Sequence, residues 1–195
     1  MMYLDNHQEC FEYLTRACNQ GRPVLPDATV HYCNVLWYFA ELVQATTALE
    51  IGIGPDQCSG MTFVYSLAKR PGSKLISYDI DRGLPYPNNK HHAKTLGVEW
   101  VQHYGDSISA DVQVVPDVVD ILYIDGDHDH AHAYGDFKKF WDSLRDGGYC
   151  IVDDWGAFGG VNTAMAALDQ EGFHALWVKH DAVNGRGVIR KGANP

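Results

Sequence analysis

The sequence has no apolar run near the roughly 18 residues that a membrane-spanning helix needs. Its longest candidate, Val35 to Val43, is half that length and carries Glu41. Basic residues are few: 15 Lys and Arg stand against 25 Asp and Glu, a formal net charge of -10. That balance excludes sequence-independent nucleic-acid binding as a first reading, since such binding neutralises phosphates with Lys and Arg. It gives no reason to expect an anionic membrane surface as partner either. The first residues, Met1 to His7, lack a basic region followed by an apolar core, so no secretory signal is expected. The five cysteines (Cys10, Cys18, Cys33, Cys58, Cys150) are scattered and form no Cys-x-x-Cys. An odd, unpaired set points to reduced thiols in a cytosol rather than to a disulfide framework or a zinc site. Internal repeats and low-complexity segments are absent. What remains is a 195-residue chain, 46% hydrophobic and 12% aromatic, which suits one globular domain with a small cap.

Short apolar runs alternate with longer mixed segments. Residues 5–20 carry Phe11, Leu14 and Cys18 at helical spacing, and Gly21 to Asp27 breaks that helix. A second helix is expected over 28–45. Strands are expected at Thr47–Gly52, Lys74–Asp79, Val98–His103, Val119–Asp125 and Tyr149–Asp154. Helices are expected over 59–70, 91–96, 131–145 and 160–171, the last two closed by Asp146-Gly147-Gly148 and Gly172. Two late strands, about 173–179 and 186–191, flank the hairpin signal Asn184-Gly185. Near-continuous apolar strands alternating with helices imply an α/β fold, a parallel sheet covered on both faces, with one antiparallel strand from the closing hairpin. Ligands in such sheets bind beyond the carboxyl ends of the strands. Asp79, Asp125, Asp153 and Asp154 all fall at that rim, more acids than burial requires.

The loop from Glu50 to Gly60 follows the first strand. Its glycines Gly52 and Gly54 let a ligand approach the backbone, and the next helix N-terminus favours polar or anionic groups. It is neither Gly-x-Gly-x-x-Gly, since the third glycine comes six residues after Gly54, nor a P-loop. Asp79 ends the next strand, where an acid accepts ribose hydroxyls of a nucleotide-like cofactor; Asp81 competes for that role. Gly105-Asp106-Ser107 either contacts an adenine edge or makes a turn or helix cap.

These motifs, taken in order with Ile124-Asp125-Gly126-Asp127-His128 and Asp153-Asp154, resemble a class I S-adenosylmethionine-dependent methyltransferase. More narrowly, the chain is similar to small metal-dependent O-methyltransferases whose fourth strand ends in Ile-Asp-Gly-x-His. The resemblance covers about residues 47–191, leaving 1–46 as a helical extension and 47–195 as the catalytic domain. It implies a Rossmann-like seven-stranded sheet with a reversed final strand. It also implies that Glu50, Gly52 and Gly54 line the methionine end of the cofactor, and that Asp79 holds the ribose. Gly60, Asp106, Ser107 and Asp125 complete the expected cofactor set. The sequence departs from the family at Pro55-Asp56-Gln57-Cys58, where many members carry smaller residues.

Oxygen ligands from separate strand ends suit a hard divalent cation such as Mg²⁺, and Asp125, Asp153 and Asp154 supply three. Clustered carboxylates without a cation raise one another's pKa, which is the physical reason to expect one. Without a metal, Asp125 would close the cofactor pocket and Asp153 would cap a turn. In the resembled sugar O-methyltransferases the His of this motif is a base, which maps to His128 here. The run Asp127 to His132 starts a helix rather than forming a histidine metal site. Trp155 is read as rim core or as a substrate contact. Tyr13, His31, Tyr32, Trp37 and Tyr38 of the N-terminal helices cover the pocket, or serve a homodimer contact or ordinary packing. The expected activity is methyl transfer from S-adenosylmethionine to an oxygen of a small molecule, in the cytoplasm, with Mg²⁺. Two rival readings are a nicotinamide-dependent oxidoreductase and a non-catalytic S-adenosylmethionine-binding module.

Overall fold

The computed structural model of the chain describes residues 32–55, 57–109, 118–179 and 184–192. The expected helix over 5–20, its break at 21–27, and Tyr13, His31 and Asp56 lie outside them. Helix α1 spans Tyr32–Leu42, followed by β1 Thr47–Ile51, α2 Cys58–Leu67, β2 Lys74–Asp79, α3 Pro87–Thr95 and β3 Glu99–Tyr104. Then come β4 Val119–Ile124, α4 His130–Phe140, a 3₁₀ turn Trp141–Ser143, β5 Leu144–Trp155, α5 Gly159–Gln170, β6 Leu176–Lys179 and β7 Gly185–Arg190. The sheet order is β3-β2-β1-β4-β5-β7-β6. Strands β1 to β5 are parallel, and β7 runs antiparallel to both β5 and β6. This is the Rossmann-like sheet with a reversed strand that the sequence implies. Among the described residues no helix is long and apolar enough to cross a membrane.

The period-two alternation of the strands feeds two cores. Ala48, Ile121, Tyr123 and Ile151 face α1 and α2, while Leu49, Ile51, Leu122, Ile124, Cys150 and Val152 face α4 and α5. Both faces are covered, which is why the strands read as unbroken apolar runs. At the amino ends of the strands Asp120 ties three of them together. Its Oδ2 accepts the amides of Thr46 (2.7 Å) and Thr47 (2.9 Å), and its Oδ1 accepts Arg145 Nε. Burial alone would raise the Asp120 pKa, but Arg145 and the two amides hold it below the ordinary value.

Several elements differ from expectation for identifiable reasons. Val35, Leu36 and Ala40 of α1 are fully buried in the same core as β1 and β4. Tyr38 packs edge-on to Phe39, and Trp37 lies under Lys69. Helix α3 starts at Pro87, earlier than expected, because proline needs no amide partner in the first helical turn. Helix α4 ends at Phe140, five residues short of the expected end. Asp146-Gly147-Gly148 then falls inside β5, where the pairing with β4 shifts register between Val119 and Ile121. The late hairpin forms, but Lys179 pairs with Gly185, so the turn is longer than Asn184-Gly185 alone. Gly185 is instead demanded by packing: a Cβ there would sit 1.9 Å from Trp177 Nε1.

Candidate active site

The carboxyl ends of the central strands are laced together by backbone bonds. Gly52 N donates to Tyr78 O (2.9 Å), Asp125 N donates to Ile51 O (2.8 Å), and Gly105 N donates to Asp79 O (3.0 Å). The loop after β1 is held by Asp79, whose Oδ2 accepts Ile53 N at 2.8 Å and whose Oδ1 accepts Asp81 N at 2.7 Å. Asp81 turns back to its own loop and accepts Gly83 N at 2.7 Å. Of the two candidate ribose acids, only Asp79 lines the cavity at the rim.

That cavity has a volume of about 650 Å³. Its wall includes Gly52, Gly54, Asp79, Asp106, Ser107 and Asp125 from the expected cofactor set, and His128 beside them. The opening after β1 depends on Gly52. It has φ +85°, and a Cβ on it would lie 2.0 Å from the Asp125 carbonyl oxygen. Asp106 is exposed, with its Oδ1 accepting Ile108 N at 3.1 Å, so it both turns the chain and faces the cavity.

Two expected cofactor residues do not reach the wall. Glu50 is fully buried on the α2 side of the sheet, where its carboxyl accepts Ser59 Oγ from α2 and Ser77 Oγ (2.8 Å) from β2. It braces the loop from beneath. Gly60 lies against Glu50 and Trp100, and a Cβ on it would come within 2.6 Å of the indole. Desolvation pushes the Glu50 pKa up to about 7, against the two serine bonds and with help from Asp125 and Asp79. A raised carboxyl pKa means the folded state holds the proton more tightly. Stability from that proton is present at low pH and lost as pH rises through about 7. Urea unfolding between pH 5 and pH 8 is expected to show a fall of about 1–3 kcal/mol in the native protein. In Glu50→Gln that fall is expected to be strongly reduced; an unchanged pH slope would remove Glu50 as its source.

The acid rim has a definite internal order. Asp153 is buried and forms an ion pair with Arg186, Nη2 lying 3.0 Å from Oδ1 and 3.1 Å from Oδ2. Its Oδ1 also accepts Asp154 N (2.8 Å), and its Oδ2 accepts the Tyr123 hydroxyl. The same hydroxyl faces Asp125 Oδ2 at 2.9 Å. Burial, then the charges of Asp125 and Asp153, raise the Tyr123 pKa, so it keeps its single proton between two carboxyls. Desolvation pushes the Asp125 pKa up to about 6, and Asp153 adds to the rise.

On the open side of the rim, His128 Nε2 lies 2.9 Å from Asp154 Oδ2 and 3.8 Å from Asp125 Oδ1. The imidazole stacks on Phe158 with ring centroids 4.2 Å apart. Asp125, and then the charge of Asp154, hold the His128 pKa above the ordinary imidazole value, against partial burial. Asp154 adopts φ +57°, an uncommon left-handed conformation for a residue with a side chain. That turn swings its carboxyl away from Asp153 toward His128. Potential metal-ligand atoms of Asp125, His128 and Asp154 lie within 4.8 Å of one another, and Asp153 is not in that group. The run after β4 starts a helix as expected, with Asp129 as N-cap accepting His132 N at 2.8 Å.

Three residues escaped the sequence reading: Tyr123 and Arg186 order the acid rim, and Phe158 stacks on the histidine. His132, read from sequence as part of a helix start, joins the cavity wall. Arg186 had a signal: a lone arginine in the apolar strand Gly-Arg-Gly-Val-Ile must find a buried partner.

The family described as a methyltransferase domain matches residues 49–155, more than half of the chain, running from within β1 through the acid pair. Among solved structures, the chain is similar to an O-methyltransferase from Bacillus cereus in complex with SAH, at 16% identity and a TM-score of 0.64, covering 97% of this chain and 94% of that one. It is also similar to the O-methyltransferase TomG from Streptomyces achromogenes in complex with SAM, at 15% identity and a TM-score of 0.63, covering 98% and 92%. At those identities the likeness is one of fold. A pseudouridine-5'-phosphate glycosidase from Mesorhizobium japonicum is 30% identical over 126 residues, 65% of this chain. The chain spans little more than a third of the length of the curated relatives it matches, 34% and 38%. With the matched segment carrying the glycine loop, the Asp79 strand end and the acid rim, the chain belongs to the methyltransferase-domain family.

Proposed function

We propose that the protein transfers a methyl group from S-adenosylmethionine to a hydroxyl oxygen of a small molecule. The observation that carries this reading is one continuous cavity. It is lined by the Gly52 loop and Asp79 together with Asp125 and His128. Bound S-adenosylmethionine supplies an already activated methyl on a sulfonium, so the transfer needs mainly in-line positioning. Gly52 and Gly54 admit the cofactor to the backbone, Asp79 accepts from its ribose hydroxyls, and Asp106 and Ser107 border its base. His128 takes the acceptor's hydroxyl proton as the new C–O bond forms and the S–CH3 bond breaks, its electron pair passing to sulfur as S-adenosylhomocysteine leaves. Asp154 and Asp125 then stabilise the imidazolium. The O-methyltransferases of Bacillus cereus and Streptomyces achromogenes, crystallised with SAH and SAM, support both the cofactor and an oxygen acceptor.

The expected Mg²⁺ site of Asp125, Asp153 and Asp154 fits these residues poorly. Both Asp153 oxygens are engaged by Arg186, one of them also by Tyr123 and the other by the Asp154 amide. The proton transfer is therefore assigned to His128.

A thermal-shift titration tests the cofactor. S-adenosylhomocysteine at about 100 times its dissociation constant is expected to raise the melting temperature by roughly 5–10 °C. NAD and NADH are expected to leave it unchanged. A shift with the nicotinamide nucleotides and none with S-adenosylhomocysteine would overturn the reading.

A further inference from the structure

Three carboxylates converge at the carboxyl ends of β4 and β5, and such a cluster needs a cation. The structure holds one made of protein. Arg186 comes from β7, the antiparallel neighbour of β5, and reaches both oxygens of Asp153 at 3.0 and 3.1 Å. The pair is sealed, with side-chain exposures of 5% and 9%. Its order extends outward: Asp153 accepts Tyr123, which faces Asp125, and accepts the amide of Asp154, whose carboxylate faces His128. Both acids on the open side are thus set in place from the buried pair.

We propose that Arg186 is the resident cation of this rim, replacing a divalent metal ion. Asp153 is then a positioning residue for Asp125 and Asp154, which meet the acceptor through His128 without a metal. The inference shares with the proposed function only the assignment of this rim as the acceptor end of the cavity.

The test uses Mn²⁺ as probe, followed by electron paramagnetic resonance of free and bound ion. The full chain carries Asp127→Asn and Asp129→Asn throughout, because Asp127, Asp129 and His132 form a separate exposed group that could take the ion. With Arg186 in place, no saturable Mn²⁺ binding is expected at the rim. Arg186→Gln removes the guanidinium and frees the Asp153 carboxylate. It is expected to tighten Mn²⁺ binding on the order of tenfold or more, and to make the melting temperature depend on Mn²⁺. The gain is expected to vanish in Arg186→Gln with Asp153→Asn, a neutral pair that leaves no buried charge stranded. Saturable binding to the Arg186 protein that is lost with Asp154→Asn or His128→Gln would overturn the proposal. So would an Arg186→Gln protein that folds and gains nothing. S-adenosylhomocysteine shifts measured on the same samples report the methyltransferase reading separately, so either can fail without the other.

Discussion

Gly52→Ala is expected to abolish S-adenosylhomocysteine binding and to destabilise the fold by roughly 3 kcal/mol or more. Two costs combine. The residue sits at φ +85°, where a side chain is strained. The added Cβ would also lie 2.0 Å from the Asp125 carbonyl oxygen and 3.0 Å from the Gly126 Cα. These are backbone atoms, so no rotamer change relieves the overlap. The ends of β1 and β4 would have to separate, breaking the Asp125 N to Ile51 O bond that shapes the cavity wall. Isothermal titration with S-adenosylhomocysteine and urea unfolding read the two effects. Native-like affinity in Gly52→Ala would show that the cavity is not where the cofactor sits.

His128→Ala is expected to lower turnover by about 10²–10⁴-fold, the ordinary contribution of a positioned base. Above the folded pKa of His128 stability should change little, because the ring is partly exposed and packs mainly on Phe158. The pH profile gives a second reading of the same role. Asp125 and Asp154 raise the His128 pKa, so the neutral imidazole that accepts a proton predominates only above the ordinary value near 6.5. The rate is expected to climb with pH on a limb displaced upward from that value. Asp154→Asn removes one of the acids and is expected to move the limb down. Folding linkage runs the opposite way. The stabilisation that His128 draws from these acids is complete below its unfolded pKa and lost as pH rises through the higher folded one. A limb that stays put in Asp154→Asn, or full turnover in His128→Ala, would take the base role away from this residue.

Much of this molecule is legible before folding. The alternation of apolar strands and helices specifies a covered parallel sheet, and the terminal hairpin specifies a reversed strand; both are present. The strand-end positions of Asp79 and Asp125 also follow from pattern, because each acid closes an apolar run at the point where the strand emerges. The N-cap at Asp129 is local as well, since an aspartate before a helix satisfies an amide three residues on.

What pattern could not decide is which way neighbouring acids face. Asp153 and Asp154 are adjacent and chemically identical, yet one is sealed against Arg186 and the other turns to His128. That division depends on β7 lying beside β5, which brings together residues 33 apart in sequence. Glu50 is a second case. Its place beside the glycine loop suggested the cofactor, but alternation along β1 directs it to the α2 face, where two serines from different elements receive it. The sequence by itself determined the layers, the parallel sheet with its reversed strand and the rim where the acids gather, because these follow from short-range periodicity and burial. Only the tertiary structure decided which acid is structural, which residue supplies the opposing charge, and how large a cavity the rim encloses. Those depend on contacts between strands distant in sequence, and a Coulomb interaction is set by distance in space rather than by separation along the chain.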